Sequence, residues 1–215
     1  MCGRWPATED LHHRIVATCH VAGATLVLGS TQEAADFDPA RCAAAGLDIL
    51  RRRSGGGAVL LRPGAQVWID VFVPRGDPRF VDDVLASFGF LGEAWRAAVA
   101  SVMDGGRSTL AVVASGAAVA TRWSPTLCFA GLGAGEVTVD GRKVVGISQR
   151  RDRSGAWFHS MAMLEFDPSE LPGLLRLREA EKLEAARSLA ATATAVPGGR
   201  SAGWRLRSAL LRQLG

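Results

Sequence analysis

The 215-residue chain is 48% hydrophobic, enough to bury a substantial core and too long for a small peptide module. Its 25 Lys and Arg against 21 Asp and Glu give a formal charge of +4, too slight to argue for nucleic acid without a basic helix or aromatic platform, and neither is evident. No stretch approaches the roughly 18 apolar residues of a membrane span, no basic-then-apolar segment marks a secretory signal, and Cys2, Cys19, Cys42 and Cys128 contain no Cys-x-x-Cys pair. A cytoplasmic protein, with no zinc knuckle, redox dithiol, nucleic-acid partner or membrane partner, is the expectation.

In chain order, a short helix is expected from near Thr8, and a brief buried strand over 24–29 ends at a Gly-Ser-Thr turn that places residues 30–32 at the mouth of a site. Pro39 starts a helix through Arg41, Cys42 and Ala45, stopped by Gly46, and a strand over 47–51 leads into a glycine loop and a further strand. Residues 67–73, with Val, Trp, Ile and Phe, form the clearest strand. The three- and four-residue spacing of Val84, Leu85, Phe88, Leu91, Trp95, Val99 and Val102 predicts a long helix within 77–103, divided or bent at Gly89 and Gly92.

Short strands are expected at 110–113 and 117–120, then a hairpin of 137–139 with 143–147 turned by Asp140-Gly141, which sets Lys143 just past a tight turn. A strand over 157–166 and one or two helices over 168–189 follow. The expectation is one domain over residues 1–215, with a C-terminal element, 197–215, that is flexible if Pro197 to Gly203 acts as a linker.

Two segments carry chemistry. In residues 51–61, RRRSGGGAVLL, the glycines permit close ligand approach, and their N–H groups can donate to phosphate or carboxylate oxygens beside the arginines. The segment lacks the Lys-Ser/Thr ending of a P-loop and the spacing of a dinucleotide fingerprint, and three glycines also serve as an ordinary tight turn. In residues 141–151, GRKVVGISQRR, the ammonium of Lys143 can bind an acyl carboxylate, or it can simply be a solvated turn lysine.

These segments in this order resemble the lipoate-protein ligase family, within the superfamily of biotin/lipoate ligase and octanoyltransferase catalytic domains. The resemblance spans about residues 26–166. It implies an α/β (α+β) fold, a mixed β-sheet flanked by helices. It implies a nucleotide and acyl site in which Arg52 lies beside the nucleotide, with Arg53 and Ser54 adjoining. Gly55, Gly56, Gly57, Ala58 and Val59 shape the acyl and phosphate region, Lys143 touches the activated acyl group, Ser148 continues the motif, and His159 closes the acyl pocket. No metal-ligand set is identified.

By the same resemblance, ATP with Mg2+ activates lipoate or octanoate as an acyl-adenylate. The acyl group then passes to a lysine of a lipoyl acceptor domain of 2-oxoacid dehydrogenase or glycine cleavage proteins. An apolar tunnel for the tail is expected to draw on Val59, Leu60, Val145 and Ile147. The chain departs from the family in two ways: Leu60-Leu61-Arg62 stands where many relatives place a histidine after the glycines, and the chain ends before the additional C-terminal domain of two-part ligases, so a separate accessory chain is expected if that part is needed. Cys128, in SPTLCFAGLG, resembles the cysteine segment of certain octanoyltransferases and opens an alternative without ATP, in which a thiolate takes the acyl group from a thioester. A non-catalytic protein that binds acyl groups or the acceptor is the third reading.

Overall fold

The computed structural model describes residues 12–103, 108–113 and 117–215. Among them, the elements run β1 (Ile15–Cys19), β2 (Thr25–Leu28), α1 (Pro39–Ala44), β3 (Asp48–Arg51), β4 (Val59–Leu61), β5 (Gln66–Pro74), α2 (Gly89–Ala100), β6 (Leu110–Val112), β7 (Val137–Val139), β8 (Arg142–Arg151), β9 (Gly155–Met163), α3 (Glu170–Gly173), α4 (Glu179–Thr192) and α5 (Gly199–Leu214). One sheet has the order β1-β5-β9-β8-β7-β6 and is antiparallel throughout. The smaller sheet, β3-β2-β4, mixes a parallel with an antiparallel pair. Sheets flanked by helices match the architecture expected from sequence.

Alternation along β5 decides how the large sheet packs. Val67, Ile69, Val71 and Val73 join Trp95 and Val99 of α2, Leu206 and Leu210 of α5, and Val145 and Ile147 of β8 in one apolar core, each fully buried aliphatic side chain contributing about 1.5–3 kcal/mol. A second core gathers Leu26 and Leu28 of β2, Leu61 of β4, Leu189 of α4, Leu127 and Phe129, and Met161 and Met163 from β9. β9 thus feeds both cores, because successive strand residues point to opposite faces.

Local chemistry sets the element ends. The Asp38 carboxylate accepts from the N–H groups of Ala40 and Arg41 at 2.9 and 3.2 Å, and Pro39 occupies the first turn of α1. Asp140 and Gly141 have φ of 50° and 75°, the two positive angles that a type I′ hairpin turn requires between β7 and β8.

The long helix expected within 77–103 is shorter. It is confined to α2, preceded by a 3-10 turn at Ala86–Phe88. Upstream, Asp77 Oδ1 accepts from Arg79 N and Asp83 Oδ1 from Leu85 N and Ala86 N, local bonds that hold turns in place of helix, and Val84 and Leu85 are half exposed. Gly89 opens α2 and does not divide it. The strand expected at 117–120 is a single bridge between Val119 and Leu132. Residues 199–214, in the segment read as flexible, form α5, with Ala202, Leu206, Ala209, Leu210 and Leu214 buried. The helix expected near Thr8 begins outside the described residues.

Candidate active site

The glycine loop joins β3 to β4 and lies against residues 126–128. Ala58 N donates to Thr126 O at 2.8 Å, and Cys128 N donates to Ala58 O at 3.0 Å. Gly57 makes this approach possible, since a Cβ there would sit 2.6 Å from Leu127 backbone atoms. Ser54 is buried, and its Oγ lies 2.9 Å from Ser148 Oγ on β8, so the loop is tied to the large sheet as well.

The three arginines of the loop differ in what they do. Arg51 donates to the carbonyls of Gly29, Ser30 and Gln32 and pins the turn after β2. Gln32 braces the same turn, accepting from Gly29 N and donating to Thr126 O. Arg52 folds back, its Nη2 donating to Gly55 O and Gly57 O at 2.8 Å, while its Nε and Nη1 are buried without a partner. Buried guanidinium donors lacking an acceptor are costly, and an anion at the loop would satisfy them. Arg53, Gly55 and Gly56 are exposed.

Lys143 is no solvated turn lysine: it is 1% exposed. Its Nζ lies 2.6 Å from Glu136 Oε1, donates to Cys128 O at 2.9 Å and to Gly131 O at 3.4 Å, and sits 4.7 Å from the centre of the Phe129 ring. Glu136 in turn accepts from Gly133 N and Ile147 N. Burial holds its carboxyl above the ordinary range, against the pull of Lys143 and of these donors. All three ammonium protons have acceptors, so a substrate oxygen would have to replace one of the carbonyls.

A narrow cavity of about 40 Å³ gathers Arg52, Trp68, Cys128, Ser148, His159 and Leu61. Of the site residues singled out from sequence, Arg52, Val59, Cys128, Ser148 and His159 therefore meet in one place. Cys128 is a free, half-buried thiol. Ser148 and His159 are directly paired on β8 and β9, and Asp70 of β5 is paired with His159 on the other side, so the three side chains share a row on one face of the sheet. His159 Nδ1 is 3.0 Å from Asp70 Oδ1, off the line of a good hydrogen bond, and the same oxygen accepts from Trp68 Nε1 at 2.7 Å.

A larger pocket of about 280 Å³ adjoins it, sharing Val59 and Phe129 and lined further by Leu60, Met163, Phe166 and Leu171. Of the expected tunnel residues, Val59 and Leu60 line this pocket, whereas Val145 and Ile147 both belong to the core with α2 and α5, Ile147 also bordering the narrow cavity. Sequence reasoning missed Asp70 and Glu136. A lone carboxylate within the apolar run VWIDVFV was the available signal for Asp70. Among the described residues, no group of three His, Cys, Asp or Glu is placed to hold a metal ion, and no helix is long and apolar enough to cross a membrane.

Residues 10–197 match the family model described as the lipoyl protein ligase A/B catalytic domain. No curated protein sequence matches the chain. Among solved structures, the chain is similar to a bi-partite lipoate protein ligase of Thermoplasma acidophilum, solved in work on that ligase and its E2 lipoyl domain, with a TM-score of 0.68 at 18% identity over 94% of this chain and 69% of that one. It is also similar to a lipoate-protein ligase A bound with ATP, TM-score 0.68 at 16% identity over 94% and 71%. A third likeness is to P. falciparum LipL1 in complex with lipoate, TM-score 0.61 at 12% identity over 95% and 49%. At these identities the likeness is one of fold.

Proposed function

The chain belongs to the lipoyl protein ligase A/B catalytic domain family, and from that premise we propose that it activates lipoate or octanoate with ATP and transfers the acyl group to a lysine of a lipoyl acceptor domain. Family membership supports acyl activation and transfer in general. The observation that carries the finer reading is the orphaned guanidinium edge of Arg52 in a cavity beside the glycine loop and next to an apolar pocket.

In this reading the acyl tail occupies the larger pocket, whose volume suits a medium-length chain, and its carboxyl end lies toward Arg52. The exposed loop at Gly55 and Gly56 would face the phosphates, and Mg2+ bound with the nucleotide would supply further charge compensation there. Arg52 offsets negative charge at the acyl-phosphate bond. Lys143 reaches that junction by exchanging a carbonyl of Cys128 or Gly131 for a substrate oxygen, while Glu136 keeps its charge paired. The acceptor is a lipoyl domain, of the kind named with the T. acidophilum ligase, and an accessory chain completes the protein if activation needs one.

The second reading is favoured by a specific observation, the half-buried Cys128 thiol in the same cavity as His159. There Cys128 accepts the acyl group from a thioester and passes it on without ATP. Intact-mass measurement of a purified lipoyl domain separates the two. A mass gain that needs ATP and free acid supports the ligase. A gain from octanoyl thioester alone, lost in Cys128→Ser, replaces it with the acyltransferase. No gain from either donor overturns both in favour of a binding role.

A further inference from the structure

Asp70 has no part in the chemistry just described, yet it is a carboxylate 2% exposed in the middle of an apolar strand. Burying such a group costs several kcal/mol unless it is paired. Its Oδ1 has two neighbours, the Trp68 indole N–H at 2.7 Å and His159 Nδ1 at 3.0 Å. His159 lines the narrow cavity and, among the described residues, is the only imidazole to do so.

We infer that Asp70 is a positioning residue: with Trp68 fixing its carboxylate 3.0 Å from His159 Nδ1, off the line of a hydrogen bond in the resting ring, it pairs with Nδ1 when the ring takes up a proton and leaves Nε2 as the base for acyl transfer. This rests on the proposed acyl-transfer activity and holds for either donor. The acceptor-lysine amine attacks the acyl carbonyl and a C–N bond forms. The bond to the leaving group breaks, its electron pair going to the AMP oxygen or to the Cys128 sulfur. The proton shed by the amine passes to His159 Nε2, and the imidazolium so formed is paired with Asp70. The row Asp70, His159, Ser148 continues through the Ser148–Ser54 contact into the glycine loop, so the base is referenced to the same loop that faces the donor.

The other ionisable groups facing His159 are few. Arg52 and Cys128 line the cavity opposite it, β8 places Arg150 two residues beyond Ser148, and Arg150 is engaged by Asp152 at 3.5 Å. Among the described residues, Asp70 is the one carboxylate recorded against the ring, and it is the group with which an imidazolium formed in the transfer step would pair.

The test compares wild type with Asp70→Asn, which keeps the shape, by two readouts. The first is the NMR titration midpoint of His159, assigned through His159→Gln against the other three histidines. The second is the pH profile of acyl transfer to a lipoyl domain from whichever donor is active. The expected result is a lowered midpoint, the acid limb of kcat/KM displaced with it, and kcat reduced roughly 100-fold at neutral pH with KM for the lipoyl domain unchanged. A purely structural Asp70 would lower activity without moving the limb, and an unmoved limb or midpoint overturns the inference. The midpoint needs no turnover, so wild type that transfers nothing while its midpoint still shifts with Asp70 would sink the proposed function and sustain the pairing.

Discussion

Along β5, Val67, Ile69, Val71 and Val73 lie in the core with α2 and α5, while Trp68 and Asp70 lie on the other face beside His159 of β9 and toward the glycine loop. The same strand thus builds two unlike regions. The helix-facing side is held by apolar area, which is non-directional and tolerates swaps among apolar residues of similar volume. The loop-facing side is held by paired polar groups, of which Asp70–His159 and Ser54–Ser148 join partners distant in sequence. Substitutions on the first side should cost stability alone, and those that break a pair on the second should also cost function or specific pH behaviour.

The largest effect is expected where the loop-facing side is most deeply buried. Lys143→Met leaves Glu136 without its cation and is expected to lower unfolding stability by about 3–5 kcal/mol, read as a shift in urea midpoint. The double variant Lys143→Met with Glu136→Gln should recover much of that loss. If it also recovers acyl transfer, Lys143 serves the fold and not the acyl junction. Next comes Leu206→Ala in α5, which opens a cavity in the helix-facing core and is expected to cost about 2–5 kcal/mol while leaving substrate KM unaltered. A KM change there would erase the distinction between the two faces.

A subtler effect is on pH. Burial holds Glu136 above its ordinary value of 4.5, so the folded chain keeps a proton that the unfolded chain sheds. That contribution to stability is fully present below pH 4.5 and is lost as pH rises through the elevated folded value. Glu136→Gln, which cannot titrate, should flatten the fall of the urea midpoint across that window. The smallest effect belongs to the surface: Arg122→Ala breaks exposed pairs with Glu181 and Glu184 and is expected to change stability by less than about 1 kcal/mol.

Much of the fold was legible because periodicity is local. The alternation in β5, the proline and glycine around α1, and the Asp140-Gly141 turn each announce themselves within a few residues. The overlong helix failed at 77–85 because Asp77 and Asp83 bond to nearby backbone N–H groups, a competition that apolar spacing does not register. The site was legible by motif at Arg52, Ser148 and His159, which line one cavity. Its carboxylates were not. Asp70 meets His159 across 89 residues of chain, and Glu136 meets Lys143 across the β7–β8 hairpin, so register and burial reveal what they hold.

The close approach at Gly57 also bears on engineering the loop. Residue 57 leaves no room for a side chain, and Gly56 has a φ of 96° that side chains resist, but a Cβ at Gly55 would meet nothing within 4 Å. A library intended to change ligand preference should therefore vary position 55 and keep its two neighbours. Of three adjacent, identical letters, one is a tuning point and two are fixed by the backbone.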